Sequence, residues 1–290
     1  MKLAVIFATV GRSETVSEAL EFIREQTRQP DIVILSAVSE VDVPPLPPGL
    51  PIEVVFGPKG LPAQRNLALR ATPQGIDVVV FFDDDFAPGP SYLEQVESIL
   101  NSDPNISGLT GHVIADGIGG PGYTFAEARK FLAEHTARPL LTATRTPQWA
   151  LYGCNMVIRT RVATGLAFDE ALPLYGWQED VAFTYQLGRR GQLLKTDALV
   201  GVHLGVKGSR SSGLMIGYAQ IANPIFLYNR QSLPFLHAYS QMLRNLAANF
   251  LRSVRPEPWC DRRGRLAGNL RAIGDLFRGT LHPRNILDLK

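Results

Sequence analysis

Short apolar runs rich in β-branched residues alternate with amphipathic stretches over the N-terminal part of the chain. LAVIFA (3–8), DIVILS (31–36), IEVVF (52–56) and DVVVFF (77–82) are strand candidates. Between the first two, TVSEALEFIREQ (15–26) puts Val16, Ala19, Leu20 and Ile23 on one face at helical spacing. LPAQRNLALR opens a second helix with Pro62 in its first turn, where the missing amide leaves no bond unmade. This alternation predicts a parallel sheet with helices on both faces. The Pro-rich VPPLPPGLP (43–51) reads as a surface connection.

After residue 105 the pattern becomes more mixed. Strands are expected near ISGLTGHVI (106–114), NMVIR (155–159) and ALVGVH (198–203), with a helix over VAFTYQLGRR (181–190), so a second half joins the same sheet. Beyond Gly205 the Gly/Ser stretch GVKGSRSSG leads into helical segments around 215–254 and 266–278, the first broken by Pro224 and Pro234. The fold class is α/β: a Rossmann-like mixed central sheet flanked by helices, with a C-terminal helical extension.

Composition narrows the picture. With 290 residues and 45% hydrophobic content the chain can bury a large core without staples. Cys154 and Cys260 lie far apart and outside any CxxC pattern, which argues against zinc or a disulfide framework. No window approaches the roughly 20 apolar residues of a spanning helix, and a cytoplasmic location is expected. Charge is uneven. Residues 1–204 hold 16 Lys/Arg against 23 Asp/Glu, while 205–290 hold 13 against 4. Aromatic, Leu and Arg residues interleave through this tail, which fits an anionic surface on the inner face of the membrane; packing on the core or an oligomer contact fits as well. Nucleic acid is not expected, since no binding motif accompanies the basic residues.

Two acidic motifs carry chemistry. FFDDDF runs a hydrophobic strand straight into Asp83, Asp84 and Asp85, the end at which α/β sheets place ligands. Three adjacent carboxylates repel one another, and Mg²⁺ or Mn²⁺ relieves this when it bridges carboxylates and a substrate's phosphates. The second motif, Glu179-Asp180, opens a helix after the loop LPLYGWQ. Acids there suit the helix dipole, but a carboxylate within reach of a hydroxyl can also take its proton, and Asp180 is the candidate base.

These residues belong to an ordered series that resembles the family 2 glycosyltransferases of the GT-A type. The series comprises Thr9 and Arg12 after the first strand; Gly60, Arg65 and Asn66 at a helix start; Asp83 and Asp85; Gly153 and Asn155; Phe168, Asp169 and Glu170; Glu179 and Asp180; and His203 at a late strand end. The resemblance implies a GT-A catalytic domain over 1–205, with a nucleotide-binding half (1–105) and an acceptor half (106–205), followed by a lid loop and basic helical extension (206–290). It also implies a metal-dependent, inverting transfer of one sugar from a nucleotide-diphosphate donor to a hydroxyl of a glycan or lipid-linked acceptor. Thr9, Arg12, Gly60, Arg65, Asn66, Asp83 and Asp84 would bind donor, Asp85 and His203 the metal. Trp149, Tyr152, Trp177, Gln178 and Glu179 are acceptor candidates, and Lys207 with Arg210 suits either a lid over the diphosphate or solvated cations. Many relatives read the base through an acidic pair after the second strand. Ser36, Ala37 and Val38 stand there, and Asp42 or Glu40 could substitute only if the loop folds back, so the base is open among UDP-, dTDP- and GDP-sugars. No Gln-x-x-Arg-Trp follows the base, which speaks for a non-processive enzyme. A sugar-phosphate nucleotidyltransferase and a non-catalytic carbohydrate-binding protein are the alternatives.

Overall fold

The structure, a computed structural model, describes residues 1–137, 143–208 and 211–289. Arg210 therefore lies outside the described residues. The chain forms two compact units: Met1–Lys59, Gln64–Ala167 and Thr184–Ser209 make the first, and Gly60–Ala63, Phe168–Phe183 and Arg210–Lys290 the second.

Among the described residues, the first unit is built on a nine-stranded mixed sheet. In chain order its strands are β1 (Leu3–Ala8), β2 (Ile32–Ala37), β3 (Ile52–Phe56), β4 (Val78–Asp83), β5 (Phe86–Pro88), β6 (Ile106–Asp116), β7 (Arg145–Gln148), β8 (Asn155–Arg159) and β9 (Gln192–His203). They run in the order β3-β2-β1-β4-β8-β6-β9-β5, with β7 on β9. β1 to β4 pair in parallel, β8 is antiparallel to both its neighbours, and β6 runs parallel to β9. The mixed sheet expected from the sequence is thus present, and its parallel part falls where the β-branched runs alternate with helices.

The reason is burial on both faces. Leu3 to Phe7 and Val78 to Phe82 are buried throughout, which suits continuous Val/Ile/Leu/Phe runs and no alternation. Helix α1 (Ser13–Arg24) buries Val16, Ala19, Leu20, Phe22 and Ile23, and all four of the expected stripe, Val16, Ala19, Leu20 and Ile23, enter the same core as β1, β2 and β4. Helix α2 (Leu61–Ala71) starts with Pro62 in its first turn, as expected. Helices α3 (Tyr92–Ser102), α4 (Phe125–Thr136) and the short α5 (Thr160–Ala163) were not anticipated, nor were β5 and β7. Strand β9 begins at Gln192, six residues before the predicted start. Helix α6 (Glu179–Gly188) opens on the acidic pair.

The second unit contains α7 (Gly213–Asn229), α8 (Phe235–Arg252) and α9 (Arg262–Phe277). Pro234 separates α7 from α8, but Pro224 lies inside α7 and does not break it. Burial explains the tolerance: Tyr218, Ile221, Ala222 and Leu227 on several sides of α7 are all fully buried, so packing holds the helix through the lost hydrogen bond. Among the described residues, no helix is long and apolar enough to cross a membrane.

Candidate functional site

Strand β4 delivers the acidic cluster. Val78 to Phe82 are locked in the sheet, so Asp83 emerges at a fixed position at its end. The chain then turns through Asp84 and Asp85 into β5, where Phe86 pairs with His203 at the end of β9. Asp85 and His203, 118 positions apart in the sequence, are therefore brought side by side: Oδ1 of Asp85 lies 3.4 Å from Nε2 of His203. Ligand atoms of Asp83, Asp85 and His203 all fall within 4.8 Å of one another, the only such group among the described residues.

Each carboxylate has its own surroundings. Asp83 accepts from Nη2 of Arg65 at 2.8 Å, and the same nitrogen donates to the Gly153 carbonyl at 2.9 Å. Arg65 is fully buried, so this member of α2 is not a surface cation. Asn66 beside it is buried as well. Asp84 is consumed internally: Thr9 Oγ1 donates to one of its oxygens at 2.8 Å and Arg12 Nη1 to the other at 2.9 Å. Burial pushes the Asp84 carboxyl up to about 6, although Arg12 pulls it down. Asp85 is buried too, but His203, Arg12 and the Val206 amide, which donates to Oδ2 at 2.8 Å, together hold its carboxyl below the usual range.

His203 is held from behind. Its Nδ1 lies 3.0 Å from Oδ1 of Asp116, at the end of β6, and 3.2 Å from the Tyr152 hydroxyl, which itself donates to the other Asp116 oxygen at 3.0 Å. Burial disfavours the charged ring, but the bonds to Asp116 and Asp85 outweigh it and carry the imidazole up to about 10. Asp116 was absent from the residues singled out in the sequence. Its only signal there was a carboxylate closing a strand before Gly117-Ile118-Gly119-Gly120, the same placement that marked Asp83.

The loop after His203 closes around this cluster. Gly205 has φ +68, and a Cβ there would lie 2.3 Å from the Gly117 backbone, so only glycine allows the two loops to approach. Arg12 donates through Nη2 to the carbonyls of Val206 and Gly208, and Lys207 donates to those of Gly117 and Ile118 at 3.0 Å each. Lys207 therefore fastens one loop to another and is not simply a solvated cation. The loop after β2 does fold back: Asp42 is buried and accepts from the Gly11 amide at 2.6 Å and the Ser39 amide at 2.9 Å.

In the second unit, the Glu179-Asp180 pair follows a loop with backbone strain. Leu174, Gly176 and Gln178 all have positive φ (58°, 61° and 73°), uncommon for Leu and Gln. The Gln178 amide oxygen accepts from Nε2 of His237 at 2.6 Å, and the Trp177 carbonyl accepts from Asn223 at 3.0 Å, which fixes the loop on α7 and α8. Glu179 is buried and Asp180 half-buried. Gly60 and Pro62 also belong to this unit; the Leu61 amide donates to the Leu174 carbonyl at 2.8 Å. Of the acceptor candidates, Trp149 is 45% exposed and stands edge-on to Tyr185 at 6.1 Å in the first unit, while Tyr152 joins the His203 cluster. Asp169 is paired with Arg230 in the second unit.

No protein-family model matches the sequence, and no curated protein matches it either. Solved structures do. The Staphylococcus aureus TarS 1-349 structure in complex with UDP-GlcNAc superposes with a TM-score of 0.58 at 14% identity, over 100% of this chain and 84% of that one. The mannosyltransferase PcManGT from Pyrobaculum calidifontis, in complex with GDP-Man and Mn²⁺, gives 0.54 at 15% identity over 99% and 85%. Against a longer S. aureus TarS chain the match covers 77% of this chain and only 40% of that chain, at 14% identity and a TM-score of 0.49. The chain has the fold of these structures, the GT-A arrangement of a mixed central sheet flanked by helices.

Proposed function

We propose that the protein is a metal-dependent, non-processive inverting glycosyltransferase of family 2, moving one sugar from a nucleotide-diphosphate donor to an acceptor hydroxyl. The observation that carries this reading is the convergence of Asp83, Asp85 and His203 at the carboxyl ends of β4 and β9 in a GT-A fold. Two carboxylates with one imidazole suit Mn²⁺ or Mg²⁺, the imidazole favouring Mn²⁺. Bound there with the donor, such an ion would neutralise the leaving diphosphate. Structures of the same fold hold UDP-GlcNAc in one case and GDP-Man with Mn²⁺ in the other, which supports a nucleotide-sugar donor without choosing its base.

The residues divide the work as follows. Asp85 and His203 would hold the metal, and Asp83, oriented by Arg65, would face the donor ribose or the metal. Thr9, Arg12 and Asp84 form a buried brace that fixes the acidic turn. Asp180 takes the proton from the acceptor hydroxyl as its oxygen attacks the anomeric carbon and the bond to the diphosphate breaks, which inverts that carbon. Trp149, Trp177 and Gln178 contact the acceptor, a glycan or lipid-linked precursor. The test is incubation with UDP-, dTDP- and GDP-sugars plus Mn²⁺, following release of nucleoside diphosphate with and without candidate acceptors. Acceptor-stimulated, EDTA-sensitive release from one donor class is expected. Pyrophosphate release from a nucleoside triphosphate and a sugar phosphate, with no diphosphate from any nucleotide-sugar, would overturn it.

A further inference from the structure

Helix α8 leaves more large apolar side chains exposed than a helix that only covers a core needs to. Tyr239 and Met242 on its inward side are partly buried against apolar clusters, yet only two of its residues are fully buried. Its buried residues are Ala238 and Asn249, and Asn249 Nδ2 donates to Gln220 Oε1 at 2.8 Å and to Asn269 Oδ1 at 2.9 Å, tying α8 to α7 and α9. The outward side carries Leu236, Leu243 and Phe250 at intervals of seven, 79%, 58% and 64% exposed, joined by Leu251 at 71% and, just past the helix end, Val254 at 82%. A run of large apolar side chains along one exposed face marks an interaction surface.

Charge says what covers it. Residues 230–256 hold Arg230, Arg244, Arg252 and Arg255 and no Asp or Glu. Arg230 and Arg252 are paired to Asp169 and Glu257, but Arg244 and Arg255 make no ion pair among the described residues. Two copies of this face would set like charges against each other. An anionic surface with an apolar interior satisfies both features at once, the apolar stripe entering the acyl boundary and the arginines meeting headgroups. We propose that the outward face of α8 docks on an anionic lipid surface, lying in its plane. This does not depend on the sugar-transfer reading.

The experiment is flotation of the full chain with vesicles of equal phosphatidylglycerol and phosphatidylcholine, and with phosphatidylcholine alone. Binding is expected to the anionic vesicles only, weakening as salt rises from about 0.1 to 1 M and the Debye length shrinks from about 10 to 3 Å. Leu243→Ser/Phe250→Ser should lower vesicle affinity by at least about 10-fold. Arg244→Gln/Arg255→Gln, at about fivefold per arginine, should lower it ~30-fold. All four residues are exposed, so thermal stability and nucleotide-sugar binding should stay at wild-type levels, which separates this result from any failure at the donor site. Unchanged vesicle affinity in both variants would overturn the proposal. So would a wild-type dimer that the Leu243/Phe250 variant dissolves without any vesicle binding, or retention on a polyanionic RNA but not on vesicles.

Discussion

Oδ1 of Asp116 stands 3.0 Å from Nδ1 of His203, and this contact decides which imidazole nitrogen faces Asp85. A carboxylate only accepts, so it holds the proton on Nδ1 and leaves Nε2 directed at the acidic turn. Histidine ligands commonly depend on such a partner. Asp116→Asn, which can present an amide donor to the same nitrogen, should weaken Mn²⁺ binding by about 10- to 100-fold while the protein stays folded. Mn²⁺ titration by electron paramagnetic resonance, beside a thermal melt, reads both. Unaltered Mn²⁺ affinity would remove Asp116 from the site.

Arg65 should matter to stability as much as to donor binding. Its guanidinium is 2% exposed and bonds both Asp83 and the Gly153 carbonyl. Nη2 makes both bonds from the end of a planar, delocalised group that a Lys ammonium on a flexible stem does not reproduce, and Met leaves Asp83 without its cation. Arg65→Met is expected to cost about 3 kcal/mol in urea unfolding, with Arg65→Lys in between. A cost under about 0.5 kcal/mol, the range of ordinary surface changes, would mean the pair is decorative.

Much of this was legible in the sequence, and the limits have physical causes. β1, β4 and α1 announce themselves because Val, Ile, Leu and Phe fill both faces of the strands, and Val16, Ala19, Leu20 and Ile23 share one helix face. β7 does not: Arg145 to Gln148 is polar and exposed, and only its pairing with β9 makes it a strand. Pro224 argued for a break in α7, a local rule that burial of the surrounding helix overrides. Asp83 and Asp85 were found because they adjoin a hydrophobic strand, whereas Asp116 takes its meaning from His203, 87 positions away. Asp42 likewise shows its place only once the loop folds back to Gly11.

Acid should probe the tail. Arg262 and then Arg252 hold the Glu257 carboxyl down at about 2, below the ordinary value of ~4.3. A group whose folded value is depressed adds stability that is complete above its unfolded value and is lost as pH falls through the folded one. The stability difference between wild type and Glu257→Gln should therefore be constant above about pH 5 and vanish between about pH 4.3 and 2. Denaturation of both proteins across this range checks it. A difference that grows on acidification would contradict the pairing.

Gly205→Ala should displace the loop after β9. The residue sits at φ +68 with the Gly117 backbone 2.3 Å from where a Cβ would lie, so the loop must move. With it would go the Val206 amide that donates to Asp85. Left-handed backbone costs an alanine roughly 1–2 kcal/mol before any clash. Lower melting temperature and weaker Mn²⁺ binding are expected together; wild-type values for both would refute the close approach.

The most direct test of sugar transfer is Asp180→Asn, assayed with the donor and acceptor that support turnover. The amide keeps the side chain's size and much of its hydrogen bonding but cannot take a proton. Donor affinity, measured by calorimetry with Mn²⁺, should stay close to wild type, while transfer falls by about 10²- to 10⁴-fold, the usual worth of a positioned base. Glu179→Gln should cost less. Turnover near the wild-type rate in Asp180→Asn would contradict the assignment and move the base to another carboxylate.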